Sequence, residues 1–243
     1  MGISTTETVG QIVTESPETK REFEKLGIDY CCGGNRTLAE ACAKAKVEVD
    51  KVLALLETST VNSGADVERN WNKEPLADLI SHITSTHHEF VRSESPRIKA
   101  LAEKVASVHG KNHTELLAVR EQFSALAEEL RVHLMKEEQI LFPYVLRMEE
   151  NTLAGEPAPP AMFGTVANPV RMMMQEHDAA GDFLRSLRSL TNGYKLPDDA
   201  CISYRTLFDA LKDFEADLHQ HIHLENNVLF PRATAMEAGS RVP

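Results

Sequence analysis

The stretch His133-Leu-Met-Lys-Glu137-Glu-Gln-Ile140-Leu141-Phe142-Pro143 returns later as His221-Ile-His-Leu-Glu225-Asn-Asn-Val228-Leu229-Phe230-Pro231. His, Glu, Leu, Phe and Pro stand at the same five offsets in both copies. On an α-helix, a His and a Glu four residues apart share one face. Leu126, Leu130, Ile140 and Leu141 flank His133 at the spacing with which Phe214, Leu218, Val228 and Leu229 flank His221. Each His–Glu pair thus lies inside an apolar stripe, where an ionised carboxylate is costly unless paired or bound to metal. Each copy ends at a proline, which is expected to stop its helix. The doubled register points to metal held inside a helix bundle.

Working outward, the helices repeat in pairs. His221 follows His133 by 88 residues, and His177 follows His88 by 89. The first helix of each pair offers one His, the second a His and a Glu, as in a four-helix bundle with pseudo-two-fold symmetry. The resulting set is His88, His133, Glu137, His177, His221 and Glu225. Imidazole and carboxylate without thiolate suit iron or manganese, and less selectively zinc. Two equivalent halves suit two metals, each with two histidines, and two carboxylates able to bridge. His87 competes with His88: the apolar stripe favours His87, the repeat spacing His88. A metal-free interaction module is a poorer reading, because it strands two buried carboxylates.

The chain has 243 residues, of which 42% are hydrophobic and 26% charged, so it can bury a sizeable core. Its net charge of −11 argues against nucleic acid and anionic membranes as partners. No apolar run reaches spanning length, and four cysteines, two of them adjacent, do not form a disulfide framework. A cytoplasmic location is expected.

Residues 1–60 read as a small helical unit of their own. Ser16-Pro17 opens a helix that ends near Gly27, and Thr37-Leu-Ala-Glu40 is a capping box for the next. Between them lies Asp29-Tyr30-Cys31-Cys32-Gly33-Gly34-Asn35, a turn-rich loop. Val49, Val52, Leu53 and Leu56 mark a last helix, and 61–74 reads as a linker in a stretch rich in small polar residues. Four long helices follow over 75–235. The first starts at Pro75 and is kinked or broken at Pro96; the second runs from Asn112 to Arg147. An exposed connection over 149–168 leads to the third, from Pro169 to before Asn192. The fourth runs from after Pro197-Asp198 to Pro231. No period-two strand pattern appears.

Other polar residues are assigned as follows. His219 and His223 could chelate, but they lie on a mostly polar face and are expected to be exposed. His82, His109 and His113 have no partner in the repeat. Glu129, one turn before His133, and Glu176, beside His177, are candidates to line a path to the metals. Met172, Met173 and Met174 read as core packing. Cys42 and Cys201 read as small core residues within helices. Cys31 and Cys32 are candidate thiols for metal or redox exchange, or else a buried pair.

The His-x3-Glu pairs within a four-helix bundle resemble the hemerythrin-like domain. The Asp29–Gly34 loop, with Lys136–Pro143 and Leu224–Pro231, resembles the bacterial repair-of-iron-centres di-iron proteins over nearly the whole chain. That resemblance implies an all-α protein, a dicysteine (ScdA_N-like) domain before a hemerythrin-like four-helix bundle. It implies two non-haem iron ions, oxo- or hydroxo- and carboxylate-bridged, on the six residues named above. It implies a cytoplasmic stress-response protein that repairs iron–sulfur clusters damaged by oxidative or nitrosative stress, by iron delivery or reaction with nitric oxide. Partners would be proteins with damaged clusters, with nitric oxide or oxygen as small ligands; a homodimer is compatible. Hemerythrin itself uses five histidines and no fifth matches here, which disfavours a simple reversible oxygen carrier; a hemerythrin-like carrier or sensor of oxygen or nitric oxide is the alternative reading. The dicysteine loop is expected to act apart from the iron core, carried on its linker.

Overall fold

The computed structural model describes residues 3–62 and 70–240. Among these residues it is helical with no strand; Thr8 and Thr37 form one isolated β-bridge. The N-terminal part holds α1 (Val9–Glu15), α2 (Lys20–Leu26), α3 (Leu38–Ala45) and α4 (Val49–Asn62). α1 was not anticipated, although its signal is legible: Thr8 and Gln11 form a capping box as complete as that of Thr37 and Glu40 on α3. Pro17 opens a short 3-10 turn, Pro17–Thr19, that leads into α2, and Gly27 closes α2 at φ 66°. α4 runs to Asn62, beyond the expected start of the linker; residues 63–69 of that linker lie outside the described residues.

The bundle is made of four rods. α5 (Leu76–His82) and α6 (Glu89–His109) are joined by a wide π turn, Ile83–His88. α7 (Glu115–Lys136) and α8 (Phe142–Leu153) are joined by Glu137–Leu141, and α10 (Ile202–Leu224) and α11 (Phe230–Ser240) by Glu225–Leu229. α9 (Ala167–Leu190) has no such insertion. α6 packs on α7 and α10, and α7 on α9.

These wide turns correct the expected stops at Pro143 and Pro231. Phe142 N–H bonds to the Glu137 carbonyl and Phe230 N–H to that of Glu225, five residues back rather than four. A proline lacks an N–H and clashes with the carbonyl four residues before it. Just after a π turn the ladder has already shifted by one residue, so the proline fits and the helix continues. Nor does Pro96 break α6, which runs on to His109. The discontinuity in that rod lies instead at the π turn bearing His87 and His88.

The apolar core falls into two clusters. One holds Leu126, Leu130, Phe214 and Leu218 with Val9, Phe23, Tyr30 and Leu38 of the N-terminal part. The other holds Leu141, Phe142, Leu229 and Phe230 with Leu76, Leu79 and Ile83. Along α7–α8 and α10–α11 the His–Glu pairs stand between them. Ile140 departs from the expected stripe and is 52% exposed, whereas Val228 at the matching place is buried. Of the methionines 172–174, Met173 alone is buried. Two carboxylates finish helix starts: Glu149 accepts from the N–H of Leu76 and Ala77, and Glu237 from that of Val166.

The N-terminal part sits on the bundle through Asn227, whose amide donates to the carbonyls of Tyr30 and Cys31 at 3.2 and 3.3 Å. Gly10 and Gly34 make this approach feasible, since a Cβ at either would collide with the Asn227 side chain.

Candidate metal centre

The π turns decide which side chains meet. His88 closes the first, while Glu137 and Glu225 open the other two. His88, Glu137, His221 and Glu225 gather their ligand atoms within 4.8 Å of one another, and so do His133, Glu137, His177 and Glu225. Both glutamates belong to both groups, and all six residues are buried. The ring nitrogens pair tip to tip: Nε2 of His88 is 3.2 Å from Nε2 of His221, and Nε2 of His133 is 3.0 Å from that of His177. His177 Nε2 and His221 Nε2 each lie 3.1 Å from a Glu225 oxygen.

A further layer fixes the imidazoles. His88 Nδ1 donates to Glu138 at 2.6 Å, His133 Nδ1 to Glu176 at 2.8 Å, and His177 Nδ1 to Asn226 Oδ1 at 2.8 Å. With Nδ1 as the donor, each Nε2 keeps its lone pair for the centre. His221 is the exception. Among the described residues its Nδ1 has no hydrogen-bond partner, and His87 stacks on its ring at 5.7 Å between centroids while donating to Asp217 at 2.8 Å.

The residues fit a pair of cations. Among the described residues, both oxygens of Glu137 and both of Glu225 are buried without a formed hydrogen bond, each facing one imidazole Nε2 at 3.1 to 3.5 Å. Two carboxylates at 0% exposure need positive charge between them, as metal or as protonated imidazole. In the metal-free chain, protons serve in that place. Burial opposes charge on His88, but bonds to Glu137 and Glu225 outweigh it and raise its pKa to about 10. His133 rises to about 10 against the same penalty, driven by Glu137 and Glu176. His221, fully buried beside His88, is pushed down. Burial likewise raises Glu225, yet His221, His177 and His88 together hold it well below the usual carboxylate range.

Residues 79–233 match the hemerythrin HHE cation binding domain. The chain belongs to the hemerythrin HHE family. Residues 5–60 match ScdA_N, a domain of unknown function (DUF542). The chain is 36% identical over 227 residues to the iron-sulfur cluster repair protein YtfE of Yersinia pseudotuberculosis serotype IB (strain PB1/+), covering 93% of this chain and 96% of that one. YtfE of Yersinia pestis (strain Pestoides F) gives the same figures. The resemblance read from the motifs therefore holds at the level of family.

Within this hemerythrin HHE bundle, His88 faces the glutamates and His87 faces Asp217. Glu176 meets His133, whereas Glu129 is exposed and lines, with Glu176 and Lys136, a cavity of about 340 Å³ that reaches His133 and His177. Glu138, Asn226 and Asp217 were missed. The internal repeat could have found them: Glu138 and Asn226 stand 88 residues apart, as do Glu129 and Asp217, while His87 stands 89 before Glu176. No helix among the described residues is long and apolar enough to cross a membrane.

Two assignments are corrected. His223 is buried and His219 half-buried, not exposed, because Tyr30 packs edge-on against both rings. Burial lowers the pKa of His223 to about 4 and moves that of His219 down. Their face is polar on its own helix but covered by the N-terminal part. Cys201 is exposed and precedes α10, its sulfur 3.1 Å from His109 Nε2, whereas Cys42 is buried in α3 as expected. The dicysteine loop is also less separate than expected: Cys32 Sγ lies 3.4 Å from the backbone carbonyl of His177.

Proposed function

We propose that this protein repairs iron–sulfur clusters damaged by oxidative or nitrosative stress, using a carboxylate-bridged pair of non-haem irons. The observation that carries the reading is the sharing of Glu137 and Glu225 between two histidine pairs, with each buried carboxylate oxygen facing an imidazole Nε2 and none in a formed hydrogen bond among the described residues. His88 and His221 would hold one iron, His133 and His177 the other, and the two glutamates would bridge. Iron so bound supplies electrons and an exchangeable ion. The family membership and the printed function of the YtfE relatives support the repair role.

The chain's own residues have definable tasks. Glu137 and Glu225 neutralise charge and link the two halves. Glu138, Glu176 and Asn226 hold three imidazoles in one tautomer. The apolar clusters on either side exclude water, and the cavity edged by Glu129 and Glu176 gives a small molecule or a departing ion a route past His133. Proteins with damaged clusters would be the partners, with nitric oxide or oxygen as small ligands, in the cytoplasm. We take 1–60 and 75–235 as the two units, in keeping with the family matches at 5–60 and 79–233.

The test is recovery of an iron–sulfur enzyme inactivated by nitric oxide. Iron-loaded protein should restore activity, while Glu137→Ala protein should not. A carrier or sensor of the gas would give no recovery beyond the effect of scavenging it, and that result would overturn the proposal.

A further inference from the structure

The dicysteine loop places three metal-ligating groups together outside the bundle centre. Asp29 Oδ1 lies 3.4 Å from Cys31 Sγ, and Cys31 Sγ lies 3.9 Å from Cys32 Sγ. All three ligand atoms fall within 4.8 Å of one another. Around a tetrahedral ion with zinc-like bond lengths, two sulfurs stand about 3.8 Å apart and a sulfur and a carboxylate oxygen about 3.5 Å. The Cys31–Cys32 and Asp29–Cys31 distances match these spacings.

The surroundings suit a bound cation. Gly33 N–H bonds to Asp29 Oδ1 at 3.0 Å and fixes that carboxylate. Arg185 lines the same cavity of about 170 Å³, beside Asp29, Cys31 and Cys32, where it offsets the excess negative charge of two thiolates and a carboxylate around a divalent ion. Gly181 faces Cys32, where a Cβ would only come into ordinary contact with Sγ at 3.5 Å. Asn227 anchors the loop by the carbonyls of Tyr30 and Cys31.

We propose that Asp29, Cys31 and Cys32 form a third metal site, which takes one divalent transition-metal ion of the zinc or iron(II) class and leaves a fourth position open. Thiolate ligands select such ions over magnesium or calcium. Three protein ligands with one vacancy are the pattern of a site that exchanges its ligand, whereas structural sites close all four positions. Each thiol gives up its proton as the ion binds. Cys32 rests on the backbone of His177, so the site adjoins the bundle centre. A role as waypoint for iron moving between that centre and a partner rests on the iron-delivery reading above; the binding itself does not.

The test uses the full-length metal-free chain in a Cys201→Ser background, which removes the other accessible thiol. Titration with cobalt(II) should produce a thiolate-to-metal charge-transfer band in the near ultraviolet, with a final intensity that corresponds to one thiolate-bound ion per chain. Cys31→Ser with Cys32→Ser should abolish the band, and Asp29→Asn should weaken binding at least tenfold. Cys32→Ser alone alters a half-buried side chain, so it keeps the test open should the double variant fail to fold. Absence of the band in the parent chain, its survival in the double variant, or an undiminished band in Cys32→Ser would overturn the proposal. The bundle offers only imidazole and carboxylate, so failure of the di-iron reading would appear in the count of the remaining ions and not in this band.

Discussion

His87 lies flat against His221, with ring planes 4° apart, where the pseudo-symmetric partner of His87, Glu176, instead accepts a hydrogen bond from His133. The two halves of the centre are therefore unequal. Three imidazoles are fixed by an acceptor at Nδ1, and on that side His221 meets only the stacked His87 among the described residues.

From this asymmetry we expect stepwise loading. The His133–His177 side should bind its ion 10–100-fold more tightly than the His88–His221 side, in line with the usual worth of such outer contacts. Stripping with a graded chelator should release one iron before the other. Glu176→Gln should bring the two steps together, and a single release step in the parent protein would count against the argument.

The shared glutamates give a sharper contrast. Glu137→Gln and Glu225→Gln should each lower occupancy on both sides, because each residue belongs to both groups. His88→Ala should empty its own side first. Metal analysis of the three variants separates bridging from simple ligation.

The seat of the N-terminal part should respond to acid through His223. Its pKa is about 4 in the folded chain, chiefly through burial, against about 6.5 unfolded. Above pH 6.5 the ring is neutral in both states and contributes no pH dependence. Between pH 6.5 and 4 only the unfolded chain takes up the proton, so stability falls, by up to about 3 kcal/mol once below 4. Urea unfolding across that window should show the parent losing stability faster than His223→Gln. Parallel curves would contradict this.

Asn227 and Gly34 set the docking itself. Asn227→Ala strands two buried carbonyls and should cost about 1–3 kcal/mol. Gly34→Ala drives a methyl into Asn227 and should cost a similar amount. Protease protection of the dicysteine loop reports both changes, while the helical signal of the bundle should persist.

Much of this was legible in the chain. The His–Glu register singled out His133, Glu137, His221 and Glu225, because a helix keeps one face over four residues, and the repeat spacing added His88 and His177; all six are buried together. Thr37 with Glu40 and Gly27 marked helix ends for local reasons. Pro143 and Pro231 misled, because a π turn shifts the ladder beforehand and shows no signature in residue type. His219 and His223 misled because the face they share is covered by Tyr30, nearly two hundred residues away in sequence. The loop of Cys31 and Cys32 seemed tethered and free for a similar reason: Asn227, which pins it, looks like an ordinary polar residue on α10–α11.

The most direct measurement of the central claim is iron content per chain together with the Mössbauer spectrum of the purified protein. The account predicts close to two irons per chain, magnetically coupled through an oxo or hydroxo bridge and the two glutamates. One iron per chain, or stoichiometric zinc in its place, would contradict it.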